Sequence, residues 1–153
     1  MQIRVFHSLN AELKSLWLDI ESRTENYIFQ RYNWIMHWQD TIGNASPKTE
    51  PCVVVLENSE GPQALLPLGI KQRFGVRVLS FLGGADYNKP LYTELGKLMH
   101  HNSDCLGEIL KALPKYDVLR FENIPGEFVN EKFLSQKGAR KTITNQADAA
   151  ELP

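Results

Sequence analysis

The chain begins with a short alternation of polar and apolar residues, which is followed by two segments whose apolar residues have helical spacing. The alternation over Gln2–His7 predicts a short strand. The next apolar residues recur on one helix face: Leu9, Leu13, Leu16, Trp17 and Ile20. They predict a helix over roughly residues 9–23, with Ser8 as its N-cap. A second helical pattern, from about Arg31 to Ile42, predicts a helix that ends at Gly43 and Asn44.

The middle of the chain has the pattern of an antiparallel meander. Cys52–Leu56 is a continuous, largely β-branched run, which is typical of a strand covered on both faces. Gln63–Arg73 predicts a long second strand, with a bulge or an edge position at Pro67, because proline cannot donate to a ladder. Val76–Leu82 predicts a third strand, and short turns separate the three. The polar segment 45–51 before them predicts a loop.

Shorter elements follow the meander. Pro90–Thr93 fits a further short strand, and Asp104–Leu113 predicts a third helix. Tyr116–Glu122 predicts another strand. Glu127–Lys137 predicts a fourth helix, which ends at Gly138.

Together these elements predict an α/β (α+β mixed) fold with the order β-α-α-β-β-β-(β)-α-β-α. We expect a largely antiparallel central sheet flanked by helices. The 153 residues suit one domain with a single core, which we place at residues 1–138. Residues 139–153 are polar, and we interpret them as a tail that begins a linker.

The composition argues against several classes of function. The net charge is −1 and the pI about 6.4, so the chain has no basic excess to neutralise phosphates, and nucleic-acid binding is not expected. No apolar run approaches the roughly 20 residues of a membrane span, and the N-terminus lacks the apolar stretch of a signal peptide. Cys52 and Cys105 are interpreted as reduced, partly buried thiols. We therefore expect a cytoplasmic protein without a membrane span.

A series of landmarks along the chain carries a resemblance to a known family. In order they are Phe29 and Gln30, Trp34 and Trp38, Leu65–Ile70 (LLPLGI), Leu79–Gly84 (LSFLGG), Asp86 and Tyr87, Pro90 and Leu91, and Asp117–Pro125 (DVLRFENIP). By their order and spacing, the chain resembles the N-terminal half of the CelD-like (cellulose-biosynthesis-type) acetyltransferases of the GNAT superfamily. The resemblance covers about residues 8–138, and the predicted element order is also that of the GNAT acyltransferase fold.

The resemblance implies a protein of two GNAT-like halves, of which the C-terminal half performs the acyl-CoA chemistry. The intact protein would transfer an acyl group from acetyl-CoA or a related thioester to an amine or hydroxyl. This chain would be the first half standing alone, as a natural short product, a decayed gene or a truncated reading frame, and it would be non-catalytic by itself. Its partner would be a catalytic GNAT second half or a second copy. Two alternatives stay open: a complete small acetyl-CoA-dependent acetyltransferase, and a non-enzymatic protein-interaction module.

A coenzyme-binding loop is the feature that separates these alternatives. In the family, the CoA pyrophosphate lies on backbone N–H groups at a helix N-terminus, in a Gln/Arg-x-x-Gly-x-Gly/Ala loop between a strand and that helix. The nearest match, Gln72–Arg77, ends in arginine and precedes a strand, so it predicts a hairpin turn. Glu94–Asn102, where the loop should lie, has one glycine and is a poor phosphate nest. We therefore assign no cofactor-binding residue and expect no cofactor for this chain alone.

The stretch between the third predicted strand and the short strand after it holds the candidate substrate-binding residues. Asp86 and Asn88 favour turns by bonding their own backbone, and Tyr87 can bury its ring while its hydroxyl is paired, so a purely structural interpretation is complete. In the functional interpretation, Asp86, Tyr87 and Asn88 line a cleft at splayed strand ends and hydrogen-bond an acceptor. Trp38 is the further candidate, either as a ligand platform or as a core residue.

Other reactive side chains have plainer interpretations. His100 and His101 are adjacent and have no partner at metal-ligand spacing, which favours a solvated loop, and no metal site is predicted. Cys105 has no local base or motif, which favours a core thiol over a nucleophile. No catalytic residue is assigned from the sequence.

Overall fold

Two four-stranded sheets and several helices make up the part of the chain that the computed structural model describes, residues 2–84, 90–94, 96 and 103–122. The strands are β1 (Gln2–Phe6), β2 (Thr49–Pro51), β3 (Val53–Asn58), β4 (Gly61–Leu66), β5 (Leu68–Arg73), β6 (Val76–Phe81), β7 (Leu91–Tyr92) and β8 (Val118–Leu119). The helices are α1 (Ala11–Arg23), α2 (Tyr32–Trp38) and α3 (Ser103–Ala112). A 3₁₀ turn at Ile28–Gln30 precedes α2, and a π-helical turn at Gln39–Gly43 extends it.

The meander runs through both sheets. The first sheet has the order β1-β3-β4-β7 and is antiparallel throughout; the second has the order β2-β5-β6-β8, in which only β6 and β8 are parallel. The segment β2–β3 pairs with the segment β4–β5, and this pair passes from one sheet to the other. It crosses at Cys52, between β2 and β3, and at Pro67, between β4 and β5. The Cys52 N–H donates to Leu68 O at 2.8 Å across this division.

The single central sheet that we predicted is therefore divided. Pro67 has no N–H for the ladder, so the strand breaks there, although its carbonyl still accepts from Leu82 N at 2.8 Å. The mixed α/β class and the largely antiparallel pairing agree with the prediction. Within the segment 45–51, predicted as a loop, residues 49–51 form β2 instead, because they pair with β5. The predicted strand Tyr116–Glu122 shortens to two residues, β8.

The predicted strands β1 and β3 lie where the sequence pattern placed them. Val53–Leu56 is completely buried, as expected of a strand covered on both faces. The Phe74 and Gly75 turn joins β5 to β6, and the predicted strand at Pro90–Thr93 is the short β7. The predicted helix Glu127–Lys137 and the tail 139–153, and with them the domain boundary at 138, lie outside the described residues.

Helix α1 begins two residues later than predicted and has a different cap. Asn10, not Ser8, is the N-cap: its Oδ1 accepts from Leu13 N at 2.9 Å. A cap side chain bonds the second or third residue of its helix, so only a residue directly before Ala11 can reach Leu13. The apolar face places Trp17 against the sheet with no exposed surface.

Helix α2 widens into its π-helical turn because Gln39 is held by the neighbouring strand. The buried amide of Gln39 donates to Thr49 O at 2.9 Å and to Asn44 Oδ1 at 3.1 Å, and so connects the end of α2 to β2. The lack of a side chain at Gly43 leaves space for it, since a Cβ there would lie 2.5 Å from Gln39 Oε1. The helix ends at Gly43 and Asn44, as predicted.

Apolar side chains form a core on each side of the sheets. Helices α1 and α2 cover one side, with Trp17 and Ile35 among the buried residues. Helix α3 covers the other side with Ile109, and Leu113, directly after the helix, is buried there too. None of the helices in the described ranges has the length and apolar character needed to cross a bilayer.

Candidate functional site

The chain leaves β6 through a glycine elbow, Gly83 and Gly84, that lies directly on α2. Both glycines have positive φ, 94° and 53°. A Cβ on Gly83 would lie 2.7 Å from Ile35 Cδ1, and one on Gly84 would lie 3.3 Å from Trp38 Nε1. The elbow therefore needs glycine for its backbone conformation and for its close approach to the helix. It places Trp38 beside the start of the stretch that holds the other candidate residues.

Of the four predicted substrate-binding residues, only Trp38 is among the described residues. Its ring is half-buried, packs against the core that α1 and α2 cover and lies beside the glycine elbow, and its substrate-binding role stays a prediction. Asp86, Tyr87 and Asn88 lie outside the described residues, and their role stays a prediction. The neighbouring Trp34 is more accessible, 36% exposed, and makes an edge-on contact with Phe29 at 5.1 Å between ring centroids.

The chain returns from this stretch at Pro90, whose carbonyl accepts from Gln30 Nε2 at 3.2 Å. Gln30 is buried, and its own carbonyl accepts from Trp17 Nε1 at 2.9 Å. Gln30 thus connects α1 to the start of β7. Sequence reasoning recorded Gln30 only as a landmark; a polar residue between two apolar helices was the signal that could have marked it as a buried anchor.

The nearest match to a coenzyme loop, Gln72–Arg77, is a hairpin, as predicted. Gln72 and Arg77 pair across β5 and β6, and the turn between them has positive φ at Phe74 (51°) and Gly75 (80°). Two consecutive residues of positive φ are the geometry of a tight hairpin turn that matches strand twist. The Phe74 side chain at its tip is 91% exposed.

Glu94 and Gly96 are the described residues of Glu94–Asn102, and Gly96 packs against β4. The Thr93 hydroxyl accepts from Gly96 N at 3.1 Å and lies 2.7 Å from Gln63 Oε1. A Cβ on Gly96 would lie 1.8 Å from Gln63 O, so Gly96 serves a close backbone contact. The one glycine of this segment therefore has a packing role. His100 and His101 lie outside the described residues.

Both cysteines are free thiols. Burial raises the pKa of Cys52 to about 12, although the nearby Arg77 guanidinium acts in the opposite direction. Burial also raises the pKa of Cys105, and the Glu108 carboxylate adds to the shift. Because a thiolate is the nucleophilic form, neither cysteine is activated at neutral pH. These properties fit the interpretation of both as core thiols.

The Cys52 thiol is expected to make stability fall at alkaline pH. Between its ordinary pKa of 9.0 and the folded value of about 12, the unfolded chain loses the proton while the folded chain keeps it. The free energy of unfolding therefore falls as pH rises through this window, by about 1 kcal/mol between about pH 8 and about pH 10. Urea unfolding of wild type and Cys52→Ala at both pH values measures this: the variant should lose about 1 kcal/mol less. Equal losses of unfolding free energy in the two proteins would contradict the assignment of the effect to Cys52. The tyrosines also titrate at alkaline pH, but both proteins contain them, so they cannot cause a difference.

A cleft that sequence reasoning missed lies over the second sheet. Two adjoining pockets of about 190 and 310 Å³ share Lys48, Glu50, Ile70 and Arg77. We call this the β2–β5–β6 cleft. Its polar side chains come from His7 after β1, from Lys48 and Glu50 at β2, and from β5 and β6, which are separated in sequence, so no local motif marks them.

No metal site is found in the described ranges, which contain no cluster of three or more His, Cys, Asp or Glu side chains placed to hold an ion.

Comparisons with models of protein families, with curated proteins and with solved structures found no match for this chain.

Proposed function

We propose that this chain is a GNAT-like N-terminal domain of a CelD-type N-acyltransferase and that it is non-catalytic by itself. In the intact protein the reaction is transfer of an acyl group from acyl-CoA to an amine or hydroxyl. One observation carries the proposal: the meander β3 to β6 and the short strand β7 are followed by α3 and then by β8, which pairs parallel to β6. That chain order, a meander followed by a helix and one more strand, is the order expected for a GNAT-like unit.

The non-catalytic part of the proposal rests on the two segments that could hold a coenzyme diphosphate. Gln72–Arg77 uses its backbone in a β-hairpin, and Gly96 is packed against the Gln63 carbonyl. A diphosphate needs several free N–H groups that converge at a helix start. The backbone of the Gln72–Arg77 hairpin and the described Gly96 are engaged in other contacts, which supports a scaffold or acceptor-side role.

The acceptor-side role is proposed for the surface around the glycine elbow. Trp34 and Trp38 border it, and the candidate residues Asp86, Tyr87 and Asn88 follow it directly in sequence. Aromatic rings beside polar side chains suit a neutral or hydroxylated acceptor, because the rings contribute contact area and the polar groups contribute orientation.

Calorimetric titration with acetyl-CoA tests the proposal. We expect no saturable heat for the chain alone, and acetyl transfer from labelled acetyl-CoA to amines only after a separately produced GNAT second half is added. Micromolar binding by the chain alone would overturn the non-catalytic part, and product formed by the chain alone would favour a complete small acetyltransferase. Backbone amide shifts confined to Glu94–Asp104 during the titration would locate a coenzyme site there.

A non-enzymatic interaction module is the second candidate, and exposed apolar residues favour it. Phe74, Val76 and Val118 are 91%, 40% and 44% exposed. Val78 pairs with Val118, and Val76 is two residues from Val78, so both exposed valines lie on the face of the second sheet opposite Ile70 and Leu79. Exposed apolar residues gathered on one sheet face often mark a contact surface. Light scattering of wild type and Val76→Lys tests this surface. Self-association that the lysine abolishes, together with no acetyl transfer after a GNAT second half is added, supports the module over the transferase half.

A further inference from the structure

Three hydrogen-bond donors form one row across the second sheet. Gln72 on β5 pairs with Arg77 on β6. On the other side, Thr49 pairs with Lys71, so Lys48, one residue earlier, continues the register opposite Gln72. Residues opposite one another on neighbouring strands share a face. The row therefore places an ammonium, an amide and a guanidinium side by side along the β2–β5–β6 cleft.

The two cations of this row are unpaired within the described ranges. Neither the Lys48 ammonium nor the Arg77 guanidinium makes a hydrogen bond or an ion pair there, although Arg77 is half-buried. The backbone of Arg77 is fixed: its N–H donates to Asp117 Oδ2 at 2.8 Å and its carbonyl accepts from Asp117 N at 2.9 Å. A half-buried guanidinium on a fixed strand has donors available for a ligand.

The next row along the same face has a different chemistry. Glu50 pairs with Ile70, and Ile70 with Leu79, so a carboxylate is followed by buried apolar side chains. Cys52 lies beside this row in the larger pocket. The Arg77 charge lowers the pKa of its thiol and the Glu50 charge raises it, so both charged groups lie near the thiol. Neighbouring strands lie about 4.8 Å apart, so the side chains of β2 and β6 stand on the same sheet face about 10 Å apart, with those of β5 between them. A small molecule of a few heavy atoms fits this width, and about 310 Å³ is at the lower end of ligand pockets.

We propose that the β2–β5–β6 cleft binds a small organic molecule with one oxyanion, whose charged group contacts Lys48, Gln72 and Arg77 while its body lies on Ile70. Lys48, Arg77 and Glu50 give the cleft a net charge of about +1 with the lining His7 counted as neutral, which matches a single anionic group. Glu50 accepts a hydrogen bond from a hydroxyl or ammonium group of the ligand and repels a second anionic group. Polyanions such as a coenzyme diphosphate are therefore disfavoured, and the site does not depend on the proposed transferase function.

Amide-detected NMR titration of the full chain at low ionic strength tests this inference with two probes, acetate and methyl phosphate, and with sodium chloride as the ionic-strength control. We expect saturable shifts at the amides of Ile70, Gln72 and Arg77 with at least one probe and none with chloride. Acetate and methyl phosphate distinguish a carboxylate ligand from a phosphate monoester. Arg77→Gln should weaken binding about tenfold or more, since it removes a charge-assisted hydrogen bond.

Lys71→Gln is the matched control, because Lys71 is on the same strand as Gln72 but on the opposite face. It should change affinity less than about twofold. Equal weakening by Lys71→Gln and Arg77→Gln would reduce the effect to general surface charge and overturn the site. Absence of saturable shifts with both probes would also overturn it. Lys48→Gln gives the same test at an exposed residue if Arg77→Gln fails to fold. Glu50→Gln removes a negative charge from the cleft and should therefore tighten the binding of the methyl phosphate dianion several-fold.

Discussion

Replacing Gly96 by alanine is expected to destabilise the folded chain by about 3 kcal/mol, which corresponds to a fall in Tm of about 10 °C for a chain of this length. The added Cβ would lie 1.8 Å from Gln63 O and 2.7 Å from Gln63 C. Both atoms belong to the backbone, so no side-chain rotation relieves the contact. Either the backbone at Gly96 or strand β4 must move.

The contacts around Gly96 oppose that movement. Gln63 is buried; its Oε1 lies 2.7 Å from the Thr93 hydroxyl, and its carbonyl accepts from Thr93 N at 2.9 Å. The Thr93 hydroxyl also accepts from Gly96 N. Moving Gly96 away therefore weakens a buried polar network as well as the packing, and a donor or acceptor left without a partner costs about 1–3 kcal/mol.

Gly107→Ala is the matched control for this substitution. Gly107 lies within α3, and a Cβ there would meet nothing within 4 Å. Alanine in a helix interior is more favourable than glycine by about 1 kcal/mol, so this variant should be slightly more stable than wild type. Urea unfolding followed by circular dichroism compares the two variants. Similar free energies of unfolding for both would show that Gly96 is not held against β4.

Local patterns predicted the elements whose contacts are local. The spacing of Leu13, Trp17 and Ile20 identified α1, and the apolar run at Val53–Leu56 identified a strand buried on both faces. The turn at Phe74 and Gly75 was predictable because a tight hairpin turn requires positive φ, which glycine adopts readily at Gly75. In each case the information lies within a few neighbouring residues.

The features that depend on distant partners were not predicted. β2 forms because its backbone can pair with β5, which is distant in sequence. The division into two sheets depends on the position of Pro67 relative to the strand that pairs with it. The β2–β5–β6 cleft needs the register of three strands before Lys48 and Arg77 can be placed together. Ser8 was wrong as the cap of α1, since Ser and Asn are similarly good caps and only the start of the helix decides between Ser8 and Asn10.

Trp17→Ala is expected to have the largest effect on stability, a loss of about 4 kcal/mol or more. Trp17 has no exposed surface, and its ring packs edge-on against Tyr32 at 5.8 Å between centroids. Its Nε1 donates to Gln30 O, so truncation also leaves a buried carbonyl without this donor. Since domains are commonly stable by only about 5–15 kcal/mol, the variant should be marginally folded.

Trp34→Ala is the matched control, because Trp34 is 36% exposed and its removal should cost only about 1 kcal/mol. Trp17→Phe separates volume from hydrogen bonding: it keeps most of the ring but removes the Nε1 donor. If the link from Trp17 through Gln30 to Pro90 holds β7 in place, Trp17→Phe should shift the Leu91 amide in NMR spectra, whereas Trp34→Ala should not. Equal losses of stability in Trp17→Ala and Trp34→Ala would contradict the central position of Trp17 in the core. If the Leu91 amide is unchanged in Trp17→Phe, the indole of Trp17 acts through packing alone and not through its hydrogen bond. The contact of the glycine elbow with α2 would then be the main one that positions the candidate acceptor surface.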